Sequence, residues 1–240
     1  NTKEFKNGKK NSEINSALGY FTKLNFYKKD FINKSFETLT PKFLLRYAPG
    51  HMRKIEGGKL NYGNLFNLNK INEIDVVENG LSTSVGFEYK KNKLNKNNLL
   101  AEEIFSFGVG QVISEKENLD IPSSTTLDQR FSDIVGQSKY KINNKMNLSY
   151  NFSIDQGYKD FNYNEVGADL KLDKAKFNLS YLQEKNHIGN QEFVQTGVDF
   201  KLNNNSELAF NTKRNLLTSS AEFYNLSYNY INDCLKAGIA

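Results

Sequence analysis

The feature that most constrains the fold is a strict alternation of apolar and polar side chains. From Met146 to Ile154, apolar or aromatic residues occupy every second position, with Asn or Ser between them. Successive side chains of a β-strand point to opposite faces, so this period predicts a strand with one apolar and one polar face. Similar runs begin near Leu81, Phe105, Val166, Phe177, Val194, Leu208 and Tyr224.

The connections between these runs alternate in expected length. Tight turns are predicted about 30 residues apart, at Asn143-Asn144, Asp173-Lys174, Asn203 to Asn205 and Asn232-Asp233. Longer connections are expected between them, around Tyr158, His187 and Leu217. Such alternation is typical of an outer-membrane barrel, in which short turns face the periplasm and longer loops face outside.

The pattern therefore predicts an all-β, antiparallel up-and-down transmembrane β-barrel. Further strands near Ile14, Thr40 and Arg130 bring the expected total to about 12. All 240 residues form one domain in this interpretation. The chain begins without Met and ends in the middle of a predicted strand, so we expect an arc of a larger barrel, truncated at both ends.

Counting upstream assigns the remaining connections to the two sides of the membrane. Residues 49–77 and 114–128 are predicted to be external loops, and residues 90–98 a periplasmic turn. Pro41 is placed at the start of a strand, because proline cannot donate a ladder hydrogen bond in a strand interior.

Composition leaves a membrane wall and a soluble core as alternatives. The mean hydropathy is −0.64, and no run approaches the roughly 18 apolar residues of a membrane helix. A barrel wall needs an apolar residue only at every second position. Aromatic residues near the strand ends favour the wall, because such residues form girdles at the lipid headgroups. They are Tyr20, Phe21, Phe26, Tyr27, Tyr89, Tyr140, Tyr158, Phe161 and Tyr163.

The sequence predicts no catalytic, cofactor or metal site, and hence no enzyme. The two histidines, His51 and His187, lie in predicted external loops and are too few for a zinc site; His187 is interpreted as a solvated loop residue. The glycines of the segment from Phe105 to Gly110 are interpreted as small inward-facing residues of a strand, not as a phosphate loop. The net charge of +5 is interpreted as a solvated surface, without the Lys/Arg clustering that nucleic-acid binding requires.

The single cysteine, Cys234, cannot form a disulfide within the chain. It is a buried thiol, a free reactive thiol, or half of a bridge to a segment outside this sequence. Its position directly after the predicted turn Asn232-Asp233 places it at the periplasmic rim.

Several segments, in their order along the chain, resemble the C-terminal barrel of the LptD family of lipopolysaccharide-assembly proteins. They are Leu39 to Phe43, Asn64 to Phe66 with Asn69 to Asp75, Glu78 to Leu81 with Ser84 to Tyr89, Phe107 to Gln111, Phe131 to Gly136, and Tyr228 to Leu235.

The resemblance implies export of lipopolysaccharide to the outer leaflet of the Gram-negative outer membrane. It also implies three partners: the lipopolysaccharide itself, an LptE-like lipoprotein that plugs the lumen, and an LptA-like periplasmic bridge that docks through an N-terminal jellyroll upstream of this sequence. It implies a disulfide from Cys234 to that upstream region, against the alternative of a small apolar residue in the wall. A passive porin or substrate-specific channel is the alternative function, since residues 49–77 are numerous enough to form a constriction loop. The residues of the lateral gate and of the lipopolysaccharide path stay unassigned.

Overall fold

The computed structural model describes residues 2–4, 10–12, 16–30, 32, 34–71, 76–94, 101–231 and 235–239. Within these ranges the chain forms fifteen strands and one 3₁₀ turn. The strands are β1 (Thr2–Glu4), β2 (Lys10–Ser12), β3 (Leu18–Lys23), β4 (Phe26–Asp30), β5 (Ser35–Ala48), β6 (Gly80–Leu94), β7 (Ala101–Ser114), β8 (Ile134–Asn143), β9 (Met146–Ile154), β10 (Phe161–Lys171), β11 (Ala175–Glu184), β12 (Gln191–Lys201), β13 (Ser206–Asn215), β14 (Ser220–Ile231) and β15 (Lys236–Ile239). The 3₁₀ turn is Ser123–Thr125. None of the described residues lies in a helix long and apolar enough to span a membrane.

Strands β3 to β15 form a single antiparallel sheet of 13 strands, each hydrogen-bonded to its neighbour in sequence except at one end. There, β3 and β4 both pair with β5, one beyond the other. Strands β1 and β2 form a separate pair. The predicted all-β, up-and-down architecture is confirmed. In the part of the chain that the structure describes, the sheet ends at β3 and β4 on one side and at β15 on the other.

The two faces of the sheet follow the alternation in the sequence. Asn147, Ser149, Asn151 and Ser153 of β9 share one face, while the apolar residues between them share the other. On the apolar face, aromatic side chains of neighbouring strands contact one another. Ring centroids of Phe87 and Phe107 are 6.0 Å apart, those of Phe105 and Tyr140 6.3 Å, and those of Phe152 and Phe161 6.2 Å. Cross-strand pairs of this kind fix the register of the strands.

The apolar face has no second layer over it among the described residues. Leu179 is 49% exposed, Leu226 60% and Tyr224 72%. A soluble sandwich would bury these side chains against a second sheet, whereas a membrane wall turns them to lipid. An exposed apolar surface that continues over many strands is therefore an interaction surface, and its strand-by-strand pattern is that of a barrel wall.

Pro41 corrects one prediction, because it lies inside β5 and not at its start. Strand β5 tolerates Pro41 because the strands that pair with β5 on that side are interrupted at this position. β3 pairs with β5 up to Lys42, and β4 pairs from Leu39, so Pro41 lies opposite the break between β3 and β4. Its carbonyl accepts the Leu24 N–H across that break. In a strand, N–H and C=O of one residue point the same way, so the missing N–H removes no bond to β6.

Other predicted boundaries need smaller corrections. The turn predicted at residues 90–98 begins too early, because β6 continues to Leu94. Residues 95–98, Ile14 and the predicted turn Asn232-Asp233 lie outside the described residues. The strand predicted near Arg130 begins at Ile134. The long connections predicted after β5 and after β7 are confirmed, as are the tight turns at 144–145, 172–174 and 202–205. The length alternation is not strict, since the connection at 216–219 is as short as the one at 202–205.

Candidate functional site

The long connection after β5 folds back onto the polar face of the sheet. Residues 49–71 of this connection are called the strap. Gly50 and Gly80 mark where the chain leaves β5 and enters β6, with φ of 107° and 93°. This left-handed region costs glycine little and other residues more. The Asn64-Leu65-Phe66 segment, predicted to be external, lies in the strap and is largely buried, with Leu65 at 0% exposure.

The strap contacts strands that are far apart in the sheet. Lys59 reaches β10 and β11, whereas Phe66 packs against Phe21 of β3. Seven inter-strand steps separate β3 from β11, which is about 34 Å along a sheet at about 4.8 Å per step. The strap segment from Lys59 to Phe66 includes turns at residues 62–66. It is therefore too short to span about 34 Å on a flat sheet. The sheet is therefore curved, and the strap lies on its concave side.

Glycines in β6 and β7 make room for the strap. A Cβ at Gly110 would lie 2.5 Å from Leu65 Cδ2, and one at Gly86 would lie 3.2 Å from the Phe66 ring. Gly108 lies directly beneath the Tyr62 ring. The prediction that Gly108 and Gly110 are small inward-facing residues is thus confirmed. The alternation did not indicate why these positions hold glycine. Together with Gly86, they form a recess that receives three side chains of the strap.

The strap shares a hydrophobic core with the loop that follows β7. Met52, Ile55, Leu60, Leu65 and Ile71 of the strap pack with Ile121 and Leu127 of that loop and with Val112 and Val135 of the wall. The Ile55 N–H donates to Asp120 O, and the Leu60 N–H donates to Thr125 O. The connections after β5 and after β7 therefore form one packed body against the concave face of strands β5 to β8.

A buried charge cluster fixes the C-terminal part of the strap to the wall. Arg46 of β5 is 0% exposed and donates from Nε to Leu68 O and from Nη2 to Glu78 O. Lys70 Nζ, also 0% exposed, lies 2.7 Å from Glu78 Oε1 and 3.3 Å from Ser82 Oγ. Burial lowers the pKa of Lys70, and the charge of Glu78 acts in the opposite direction. We call Arg46, Lys70 and Glu78 the buried lock.

The other attachment of the strap is more accessible. Lys59 Nζ forms an ion pair with Glu184 Oε1 of β11, and the side chains are 32% and 16% exposed. The same ammonium lies 3.5 Å from the centroid of the Tyr163 ring, over its face. Tyr163 donates its hydroxyl to Glu165, at 3.0 Å. Burial lowers the pKa of Lys59, and the contact with Glu184 opposes that shift.

A second polar cluster surrounds Asp133, between β7 and β8. Its Oδ2 accepts from Ser153 Oγ and Asn162 Nδ2, each at 2.8 Å, and lies 3.3 Å from His187 Nε2. A register shift between Phe161 and Tyr163 brings Asn162 to this face. Ser153 and His187 both contact the same carboxylate oxygen, so His187 does not act as a base on Ser153. This arrangement joins loops to the wall and activates no nucleophile.

Several predicted roles change once these contacts are known. His187 was interpreted as a solvated loop residue, yet it is partly buried beside Asp133. Phe21 and Tyr163 were assigned to the lipid-facing girdle, but they face the strap. His51 is exposed in the strap. Cys234 lies outside the described residues. The buried lock was not predicted, because its members are 24 and 8 residues apart in sequence and only folding brings them together.

Comparison with known proteins places this arrangement in a family. No curated protein matches the chain. Solved structures similar to it include two triple mutants of the Rhodopseudomonas blastica porin, each 11% identical with a TM-score of 0.37. The alignments cover 91% and 92% of this chain and 80% and 81% of the porin chains, but a similarity this weak supports no argument about function. The model of the LptD family, described as LPS transport system D, matches residues 1–208. That match covers most of the sequence, and the chain therefore belongs to the LptD family.

Proposed function

We propose that this chain forms part of the wall of an outer-membrane translocon that delivers lipopolysaccharide to the outer leaflet. The observation that carries the proposal is the family match over residues 1–208. The family is a transport component for lipopolysaccharide in the Gram-negative outer membrane. Delivery to the outer leaflet takes place without making or breaking a chemical bond.

The two faces of the sheet support this function. A molecule with a polar saccharide part and acyl chains needs a polar path beside an apolar surface. The concave face offers Asn, Ser, Gln, Asp and Lys side chains between the strands, and the convex face offers aromatic and aliphatic side chains. The strap narrows the path on the concave side, where its contacts extend from β3 to β11, so that the polar surface beyond it lies along β12 to β14.

The proposal includes two protein partners. A plug lipoprotein of the LptE type would lie against the polar concave face that the strap leaves free. A periplasmic bridge of the LptA type would deliver lipopolysaccharide through a jellyroll domain that precedes this segment. Both partners come from the family resemblance.

The proposed disulfide of Cys234 gives the first testable prediction. A bridge to an upstream cysteine closes a large loop in the chain, so the oxidised full-length protein stays compact in detergent and migrates faster. We expect Cys234→Ser to migrate in non-reducing electrophoresis at the position of the reduced wild type. Identical mobility of oxidised wild type and Cys234→Ser would instead favour the alternative of a small apolar residue in the wall.

Depletion of the full-length protein tests the transport function. We expect surface lipopolysaccharide to fall while newly made lipopolysaccharide accumulates inside the cell, because the last transfer step is lost. Uptake of small hydrophilic solutes is measured in the same cells. Intact lipopolysaccharide export together with reduced solute uptake would contradict the proposal and support a passive porin, which the inward-folded strap would also suit as a constriction.

A further inference from the structure

The strap has one fixed and one accessible attachment to the wall. On the fixed side, Arg46 and Lys70 are 0% exposed and Leu65 lies in the glycine recess. On the accessible side, one long side chain extends from the strap to strands β10 and β11. That side chain is Lys59, which ends on Glu184 and over the Tyr163 ring.

The backbone next to Lys59 is held independently of this bridge. Leu60 is 3% exposed in the shared core, and its N–H donates to Thr125 O. Tyr62 lies over Gly108, within hydrogen-bond distance of Lys42 Nζ at 3.3 Å. The bridge can therefore break by a rotation of the lysine side chain alone. Exposed or half-exposed lysine side chains change rotamer on picosecond to nanosecond timescales.

A cavity of about 290 Å³ lies directly behind the bridge, between the strap and strands β8 to β10. Residues 59–63 form one side of it. Gln137, Asn151, Tyr163 and Glu165 line the opposite side, and Asn151 Nδ2 donates to Glu165 at 2.8 Å. Polar side chains thus line the wall side of the cavity, and Lys59 lies at the edge that faces β11.

We propose that the Lys59 side chain is a gate that determines the size and charge of what enters this cavity from the rest of the lumen. In the closed position, the Lys59 ammonium is held by Glu184 and the Tyr163 ring. An anionic group passing through the lumen, such as a phosphate or carboxylate, competes with Glu184 for the ammonium and turns the side chain away. The inference rests on the proposed function only in that the concave face lines a lumen.

Thiol labelling of the full-length protein tests the gate. Gln137→Cys places a thiol inside the cavity, and its rate of reaction with a small methanethiosulfonate reagent is followed by mass spectrometry of that peptide. We expect Lys59→Met to raise this rate roughly tenfold, the equivalent of one charge-assisted hydrogen bond. Glu184→Gln should raise it as well. The exchange of Lys59 and Glu184 (Lys59→Glu with Glu184→Lys) should restore slow labelling. Lys54→Met, at an exposed position of the same strap, is the matched control and should change nothing.

Two further measurements separate a gate from a structural anchor. The Leu60 amide should exchange with solvent at the same rate in Lys59→Met as in the wild type, because the backbone stays in place. Faster exchange at Leu60 would mean that Lys59 anchors the strap, and would overturn the proposal. High salt shortens the Debye length from about 10 Å at 0.1 M to about 3 Å at 1 M. It should therefore speed labelling in the wild type but not in Lys59→Met. Unchanged labelling in both single variants would also overturn the gate, whether or not the protein transports lipopolysaccharide.

Discussion

Replacing Glu78 by Gln should release the C-terminal part of the strap from the wall. Glu78 is the one carboxylate of the buried lock, and its removal leaves the charges of Arg46 and Lys70 buried without a counter-charge. Breaking a buried ion pair from one side costs about 3–5 kcal/mol. We expect the free energy of local opening, measured by native-state hydrogen exchange of strap amides such as Ile71, to fall by about that amount. The full-length protein in detergent or lipid is the sample.

Raising the pH should recover part of the loss in Glu78→Gln. Burial holds the pKa of Lys70 below its ordinary value of 10.5, and the lost carboxylate no longer opposes that shift. Between the lowered pKa of Lys70 and 10.5, the released strap binds more protons than the strap that is packed on the wall. The packed state therefore gains stability as the pH rises through this window. Exchange measured against pH, with the intrinsic exchange rate subtracted, gives the slope. A slope of the opposite sign would contradict the assignment of Lys70 to the buried lock.

Two control variants make the Glu78 result specific. Asp173→Asn removes the carboxylate of an exposed pair with Lys145, 3.5 Å away on a neighbouring turn, and should leave strap exchange unchanged. Simultaneous replacement of Arg46, Lys70 and Glu78 by Met should be far less harmful than Glu78→Gln alone, since an apolar substitute for a complete buried ion cluster is often neutral. If the triple variant were as unstable as the single one, unpaired charge would not be the cause.

Truncating Leu65 to Ala should loosen the packing of the middle of the strap against the wall. Leu65 is 0% exposed, packs in the shared core and fits against Gly110. Removing a buried leucine side chain costs about 2–5 kcal/mol, depending on how far the cavity collapses. We expect exchange of the Leu60 and Asn67 amides to accelerate, since Leu60 donates to Thr125 O of the other loop and Asn67 donates to Asn64 O within the strap. The barrel itself should keep its unfolding transition in urea.

Leu68→Ala provides the matched control for this prediction. It makes the same substitution three positions further along the strap, at a side chain that is 44% exposed. Because much of Leu68 already contacts solvent, its truncation should have a small effect on the same amides. Equal effects of the two substitutions would show that burial in the recess does not hold the strap.

The strands were predictable because the signal for a two-faced strand is local. From Met146 to Ile154 the polarity of each residue indicates the face on which it lies, and the pairing of β8 with β9 and of β10 with β11 follows from short turns. The same logic failed at Pro41, since the gap between β3 and β4 that tolerates it lies on another strand. It also failed at Phe21 and Tyr163, which occupy the inward face near strand ends, where aromatic content alone predicts a girdle.

The sequence by itself thus determined the all-β architecture, the order of the strands and the polarity of each face, because these depend on periodicity and on turns of a few residues. Only the tertiary structure decided what the concave face holds. Arg46, Lys70 and Glu78 meet because the chain returns over the sheet, and Lys59 meets Glu184 across 125 positions of sequence. Contacts of that separation leave no periodic trace, since their partners are selected by curvature and packing and not by neighbours in the chain.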